Sequence, residues 1–227
     1  MTADHPERLR TYGRIRGRSL RPGRADLLDS YLPEVSLDVS AGTIDPGRLM
    51  PGASAVWLEL GFGAGEHLAA QAQAHPDALL LGAEPFLNGA ASALRHVRDQ
   101  GLGNVRIHAG DGRELMAALP DASIARVFVL FPDPWPKTRH RKRRLINDET
   151  VAELARVMAP GGMVRFCTDW ADYIGWTLER FARSGAFEWT AERAADWREA
   201  PPDHFTTRYE QKRLGDCAPT FLQFRRI

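Results

Sequence analysis

Acids recur at one position in this chain, directly after short apolar segments rich in β-branched residues. Residues 78–83 (ALLLGA) run into Glu84, 105–109 (VRIHA) into Gly110-Asp111, 124–130 (IARVFVL) into Phe131-Pro132-Asp133, and 163–168 (MVRFCT) into Asp169. Residues 55–60 (AVWLEL) carry Glu59 just ahead of the loop Gly61-Phe62-Gly63-Ala64-Gly65. Such segments read as buried strands, and helix signals fill the stretches between them, over 66–74, 88–100, 112–119, 143–158 and 171–184. Strands alternating with helices imply a parallel sheet with right-handed crossovers. Residues 206–212 and 220–225 read as two strands joined by a turn around Gly215. The expectation is therefore an α/β fold: a doubly wound, mostly parallel sheet closed by a C-terminal antiparallel hairpin, with helices on both faces. In such sheets ligands bind beyond the carboxyl ends of the strands, so acids at five strand ends outline a site.

Length and composition bound the rest. The 227 residues fit one domain with an extension: a flexible basic arm at 1–24 and a single domain at 25–227, its first helix starting near Arg24. No apolar run approaches the roughly 18 residues of a membrane span. The charged N-terminus lacks the apolar core of a secretory signal. Cys167 and Cys217 are too few and too far apart for a disulfide framework or a metal site, and the histidines show no ligand spacing. A soluble, reduced, cytosolic protein without a metal is expected.

The net charge of +1 conceals two basic islands. Arg8, Arg10, Arg14, Arg16, Arg18, Arg21 and Arg24 fall in a stretch without an acid, and six cations lie between Lys137 and Arg144. Outside them the chain carries 17 basic against 29 acidic residues. Localised cations on an acidic body point to a polyanion contact. The second island follows Phe131-Pro132-Asp133-Pro134-Trp135, where a carboxylate is held between two residues of fixed φ beside an aromatic ring. That arrangement suits a flat base on a polyanion.

The glycine loop discriminates between cofactors. Gly61, Gly63 and Gly65 form G-x-G-x-G, with Glu66 where the dinucleotide fingerprint has its third glycine. A pyrophosphate would be repelled by Glu59 and Glu66. A cofactor with a cationic amino-acid end and a sulfonium is favoured by Glu59, its ribose hydroxyls by Glu84, its adenine edge by Asp111. These features favour S-adenosylmethionine over NAD.

The chain resembles the tRNA (guanine-N7)-methyltransferases, class I enzymes that modify guanine 46 in the tRNA variable loop. The resemblance rests on Glu59-Leu60-Gly61-Phe62-Gly63-Ala64-Gly65, Gly82-Ala83-Glu84, Phe131-Pro132-Asp133-Pro134-Trp135-Pro136-Lys137, Arg141-Lys142-Arg143-Arg144, Thr168-Asp169-Trp170 and Thr206-Thr207-Arg208-Tyr209-Glu210. The basic arm, Arg18-Ser19-Leu20-Arg21-Pro22-Gly23-Arg24, is similar to the family's N-terminal segment, so the likeness covers nearly the whole chain. Ala83 and Pro136 depart from the family pattern without removing a functional group. The resemblance implies a Rossmann-like class I fold with seven strands. It implies that S-adenosylmethionine, leaving as S-adenosylhomocysteine, is held by Glu59, Gly61, Gly63, Gly65, Glu84, Asp111 and Asp133. It assigns Lys137, Asp169, Thr207, Arg208, Tyr209 and Glu210 to the substrate, and Arg139, His140, Arg141, Lys142, Arg143 and Arg144 to RNA. tRNA is the expected partner, with no obligate protein partner, for a monomer or homodimer.

Guanine N7 carries a free in-plane lone pair, so its methylation needs alignment and electrostatics rather than a general base. Asp133, the expected catalytic residue, accepts hydrogen bonds from the guanine edge or orients the cofactor. Trp135 stacks on the base or packs beneath the loop; Asp169 and Glu210 bind the base or pair with nearby arginines. The competing classes are a non-catalytic tRNA-binding protein and a NAD-dependent oxidoreductase.

Overall fold

The computed structural model describes residues 12, 13, 15, 17, 19, 20 and 22–227. Three short helices, α1 (Pro22–Ser30), α2 (Leu32–Val35) and α3 (Pro46–Leu49), precede β1 (Ala55–Leu60). Then α4 (Glu66–Ala74), β2 (Ala78–Ala83), α5 (Leu87–Asp99), β3 (Val105–His108), α6 (Gly112–Ala118) and β4 (Ile124–Leu130) alternate. A 3-10 turn at Thr138–Arg143 leads to α7 (Asp148–Val157), β5 (Met158–Thr168), α8 (Ala171–Ser184) and β6 (Phe187–Trp189). The chain finishes with α9 (Ala195–Arg198), α10 (Arg208–Lys212) and β7 (Thr220–Arg226). Among the described residues no helix is long and apolar enough to cross a membrane.

The seven strands lie in the order β3-β2-β1-β4-β5-β7-β6. β1 through β5 pair in parallel, and β7 runs antiparallel to both β5 and β6. β2 is buried along its whole length, as a central parallel strand covered on both faces must be. One face packs on α6, α7 and α8 through Leu115, Leu154 and Phe181; the other packs on α1, α4 and α5 through Leu27, Leu68 and Leu94. The expected mostly parallel seven-stranded sheet, with its antiparallel end and two helical layers, is the observed one. Order reverses between β1 and β4, which pair at Glu59↔Phe128, so the glycine loop and Asp133 leave neighbouring strand ends.

Four boundaries differ from the sequence-based reading. Residues 206–212 are not a strand. Thr207 Oγ1 accepts from Glu210 N while Glu210 Oε2 accepts from Thr207 N, a capping box that starts α10. The antiparallel partner of β7 within the chain end is β6 instead. The helix expected from 143 begins at Asp148, because Asn147 Oδ1 accepts from Thr150 N and Asp148 and Glu149 complement the helix dipole. β5 starts at Met158, and residues 159–162 bulge out before the register resumes at Arg126↔Met163. α1 starts at Pro22, two residues before the expected Arg24.

The third glycine of the loop sets how closely the loop meets α5. Gly65 has φ +81°, and a Cβ there would overlap the Ala93 side chain and Cα. Gly65→Ala therefore adds both left-handed strain and overpacking, and costs about 2–4 kcal/mol of stability in denaturant unfolding. A loss below about 0.5 kcal/mol would mean that α5 yields freely.

Candidate active site

A cavity of about 700 Å³ opens over the carboxyl ends of β1, β2, β3 and β4. Glu59, Gly61, Gly63, Glu84, Asp111 and Asp133 all line it, so four of the five strand-end acids converge and the fifth, Asp169, does not. Gly65 does not line it; its role is the contact with α5. Gly61 and Gly63 have φ +78° and +57°, and a Cβ on either would stand in open space. Their left-handed backbone, not crowding, calls for glycine, and they leave a cradle along the cavity floor.

Each acid is held differently. Glu84 is buried, its Oε2 accepting from Gly63 N at 2.7 Å and its Oε1 from Phe86 N at 2.9 Å. Burial raises its carboxyl above the usual range, the two N–H donors oppose this, and the charges of Asp133 and Glu59 add to the rise. Asp111 caps α6 through Arg113 N and pairs with the Arg113 guanidinium at 2.6 Å. Glu59 is buried and bonded to His67 Nδ1 at 2.8 Å. Gln71 Nε2 donates to the Asp203 carbonyl and lies 3.2 Å from His67 Nε2. Because that amide nitrogen is a donor, His67 Nε2 accepts and Nδ1–H points at Glu59. His67, which also lines the cavity, was not singled out from sequence; its place in the first turn of α4 beside the end of β1 is the signal.

Asp133 is open to the cavity, and among the described residues no hydrogen-bond partner holds its carboxylate. The surrounding walls strip enough water to raise that carboxyl above the usual range. Phe131 and Trp135 bracket it with φ +50° and +42°, a left-handed conformation rare for bulky side chains. Phe131 packs against Tyr209 at 5.5 Å between ring centroids. The Arg143 guanidinium lies 4.9 Å from the Trp135 ring centroid and 5.1 Å from that of Tyr12, so the Trp135 ring carries a cation here.

The basic run divides. Lys137, Arg139 and Lys142 are exposed, and His140 and Arg143 half-buried. Arg141 is half-buried and pairs with Asp172 at 2.7 Å. Arg144 is 2% exposed: its Nε donates to Pro134 O, a terminal nitrogen meets Asp172 at 2.5 Å, and its guanidinium lies over Tyr173 and Trp176. Arg144 thus clamps the loop to α8 from within, and it also borders the cavity. The arm arginines Arg8, Arg10, Arg14, Arg16, Arg18 and Arg21, and with them most of the expected flexible arm, lie outside the described residues. Of the arm, Tyr12 and Gly13 line the cavity, Ile15 O accepts from Leu87 N and Gly17 N donates to Asn88 Oδ1.

Thr207, Arg208 and Tyr209 form another wall, and Glu210 stands behind it, bonded to His204 at 2.8 Å. Arg208 pairs with Glu66 at 2.9 Å, which removes part of the repulsion toward pyrophosphate expected from Glu66. Asp169 is buried outside the cavity lining; Oδ2 accepts from Gly215 N, and Oδ1 has no hydrogen-bond partner among the described residues. Neither Asp169 nor Glu210 pairs with an arginine among the described residues.

This sheet order, with an acid-lined cavity at its switch point, defines a Rossmann-like class I methyltransferase. The methyltransferase family model Methyltransf_4 matches residues 53–217. A relative from Caulobacter vibrioides named tRNA (guanine-N(7)-)-methyltransferase is 57% identical over 96% of this chain and 95% of its own length. A relative of that name from Hyphomonas neptunium is 45% identical over 96% and 99%. The chain belongs to the tRNA (guanine-N(7)-)-methyltransferase family. Among solved structures, a variant of the 16S rRNA (adenine(1408)-N(1))-methyltransferase from Catenulisporales acidiphilia with cosubstrate SAM shares the fold. It is 18% identical with a TM-score of 0.57, covering 81% of this chain and 92% of that one.

A raised carboxyl favours the folded protein fully below the ordinary carboxylate range, and that advantage is lost as pH rises through the raised value. Ionised Asp133 therefore costs stability at neutral pH. Asp133→Asn is expected to raise the unfolding temperature at about pH 7 and to lose that advantage near pH 4. An equal or lower unfolding temperature at pH 7 would show that the charge is not strained.

Proposed function

We propose that the protein transfers a methyl group from S-adenosylmethionine to N7 of guanine 46 in the variable loop of tRNA. The observation that carries this reading is Asp133, a carboxylate without a partner among the described residues, fixed by strained backbone where the acid-lined cavity meets the exposed cations. Family membership supports the tRNA and the N7 position. The donor is supported by the residues around the cavity: two open left-handed glycines, and carboxylates suited to a cation and to ribose hydroxyls. When bound, S-adenosylmethionine supplies an electrophilic methyl group on a sulfonium.

The chain's own residues would then do the following. Glu84 keeps a free lone pair on each carboxylate oxygen after accepting from Gly63 and Phe86, and holds ribose hydroxyls with them. Asp111 and Arg113 form the wall beside the adenine, and Glu59, oriented by His67, faces the cationic end. Asp133 accepts from the guanine's amino and imino edge and stabilises the positive charge that grows on the base; no proton need be removed from N7. Thr207, Arg208 and Tyr209 close the acceptor side, while Asp169, outside the cavity lining, ties the chain at Gly215 behind it. Lys137, Arg139 and Lys142 contact phosphates without reading sequence.

Two measurements test this reading. With methyl-labelled donor and total tRNA, label should appear as N7-methylguanosine at position 46, and Asp133→Ala should lower kcat at least about 100-fold with the fold intact. Label elsewhere, or near-normal turnover of that variant, overturns it. Replacing Lys137, Arg139 and Lys142 by Ala should lower the slope of log affinity against log salt by about 2–3 units. Arg144→Met, which removes an inward-facing cation, should leave the slope within about half a unit of the original.

A further inference from the structure

Sheet residues Phe128, Leu130, Cys167 and Phe221 form an apolar patch on β4, β5 and β7, on the face opposite α6, α7 and α8. Among the described residues, part of its cover comes from the irregular segment 203–207 and the start of α10. His204 lies with its ring 4.9 Å from Phe221, and Tyr209 packs on Phe131. Apolar contact alone holds such a segment poorly, because it makes no backbone ladder with the sheet.

Polar ties hold it instead, and they meet at one residue. Asp203 Oδ1 pairs with Arg165 of β5 at 2.6 Å and Oδ2 with Arg126 of β4 at 2.7 Å. Its carbonyl accepts from Gln71 of α4 at 2.9 Å. Arg165 is 4% exposed, and among the described residues its Nε and one terminal nitrogen have no hydrogen-bond partner, so Asp203 supplies the charge that compensates it. Arg126 in turn lies over the Trp57 ring at 4.7 Å. Burial tends to raise the Asp203 carboxyl, but the two guanidinium groups outweigh it and hold it below the usual range.

We infer that Asp203 is the positioning residue of the acceptor side: it docks the 203–210 segment on β4 and β5, and so sets where Thr207, Arg208 and Tyr209 stand in the cavity. Through Gln71 and His67 the same residue is bonded to Glu59, which joins the acceptor wall to the donor end of the site. The inference rests on the proposed methyl transfer for the words acceptor and donor; the docking itself does not.

The full-length chain carrying Asp203→Asn, and separately Arg126→Gln, tests it by hydrogen exchange, by calorimetry with S-adenosylmethionine and by methyl-transfer kinetics on tRNA. Exchange at the amides of 204–212 should speed up at least tenfold while β1, β2 and α5 keep their protection. The KM for tRNA should rise, or kcat/KM fall, at least tenfold, with the Kd for S-adenosylmethionine within threefold of the parent. Asp203→Glu, which keeps the charge between the guanidinium groups, should recover more of both effects than Asp203→Asn. Unchanged exchange at 204–212, equal loosening of the whole sheet, or parallel losses of donor and tRNA affinity would overturn the proposal. If Asp203→Asn does not fold, Arg126→Gln decides on the same measurements, since Arg126 is the more exposed partner. Absence of methyl transfer by the parent protein would reject the proposed function, while the exchange result would still decide the docking.

Discussion

A guanidinium with almost no contact with water holds the outer half of the cavity in place. Arg144 reaches back ten residues to donate to the Pro134 carbonyl, pairs with Asp172 on α8, and lies over the rings of Tyr173 and Trp176. The loop it grips contains two aromatic residues with positive φ, each costing about 1–3 kcal/mol. Hydrogen bonds to charged groups contribute about 1.5–3 kcal/mol each, which is the size of force needed to keep such a loop in one shape. Prolines on either side of Asp133 lower the entropy lost on ordering it. The carboxylate is thus delivered to the cavity by strain, fixed φ angles and a buried cation acting together.

The site itself is assembled against the preference of its charges. Glu84 and Asp133 both resist ionisation, the first mainly because it is buried and the second because the cavity walls desolvate it. Two carboxylates made unhappy by their surroundings are a poor arrangement for stability and a good one for receiving a cation. Around them, the other acids are already committed: Asp111 to Arg113, Glu59 to His67, Glu66 to Arg208. Acids paired with Arg or His thus stand beside Glu84, held only by two backbone N–H groups, and Asp133, which no hydrogen bond holds among the described residues.

Much of this was legible in the chain. β2 and β4 read as strands because their apolar runs are short and bounded by acid, glycine or proline, and each is a strand. Gly61 and Gly63 read as a tight glycine loop after β1, and both adopt a left-handed backbone open to the cavity. The 206–212 segment was misread because aromatic and β-branched residues suggested extension, while the four-residue capping box that begins α10 carried more weight. The basic run shows no such distinction: six cations in eight residues look alike, and the Pro134 carbonyl, Asp172, Tyr173 and Trp176 gathered around Arg144 make it the buried one.

By itself the sequence determined the alternation of strand and helix, the place of each acid at a strand end, and the location of the basic run. Those features depend on periodicity, proline and glycine geometry, and capping, all settled within a few neighbouring residues. Tertiary structure alone decided which charges face water and which face one another. Gln71 meets the Asp203 carbonyl across 132 residues, and Arg126 meets its side chain across 77. A charge is free or satisfied according to what the folded chain brings within about 3 Å of it, and no local pattern carries that distance.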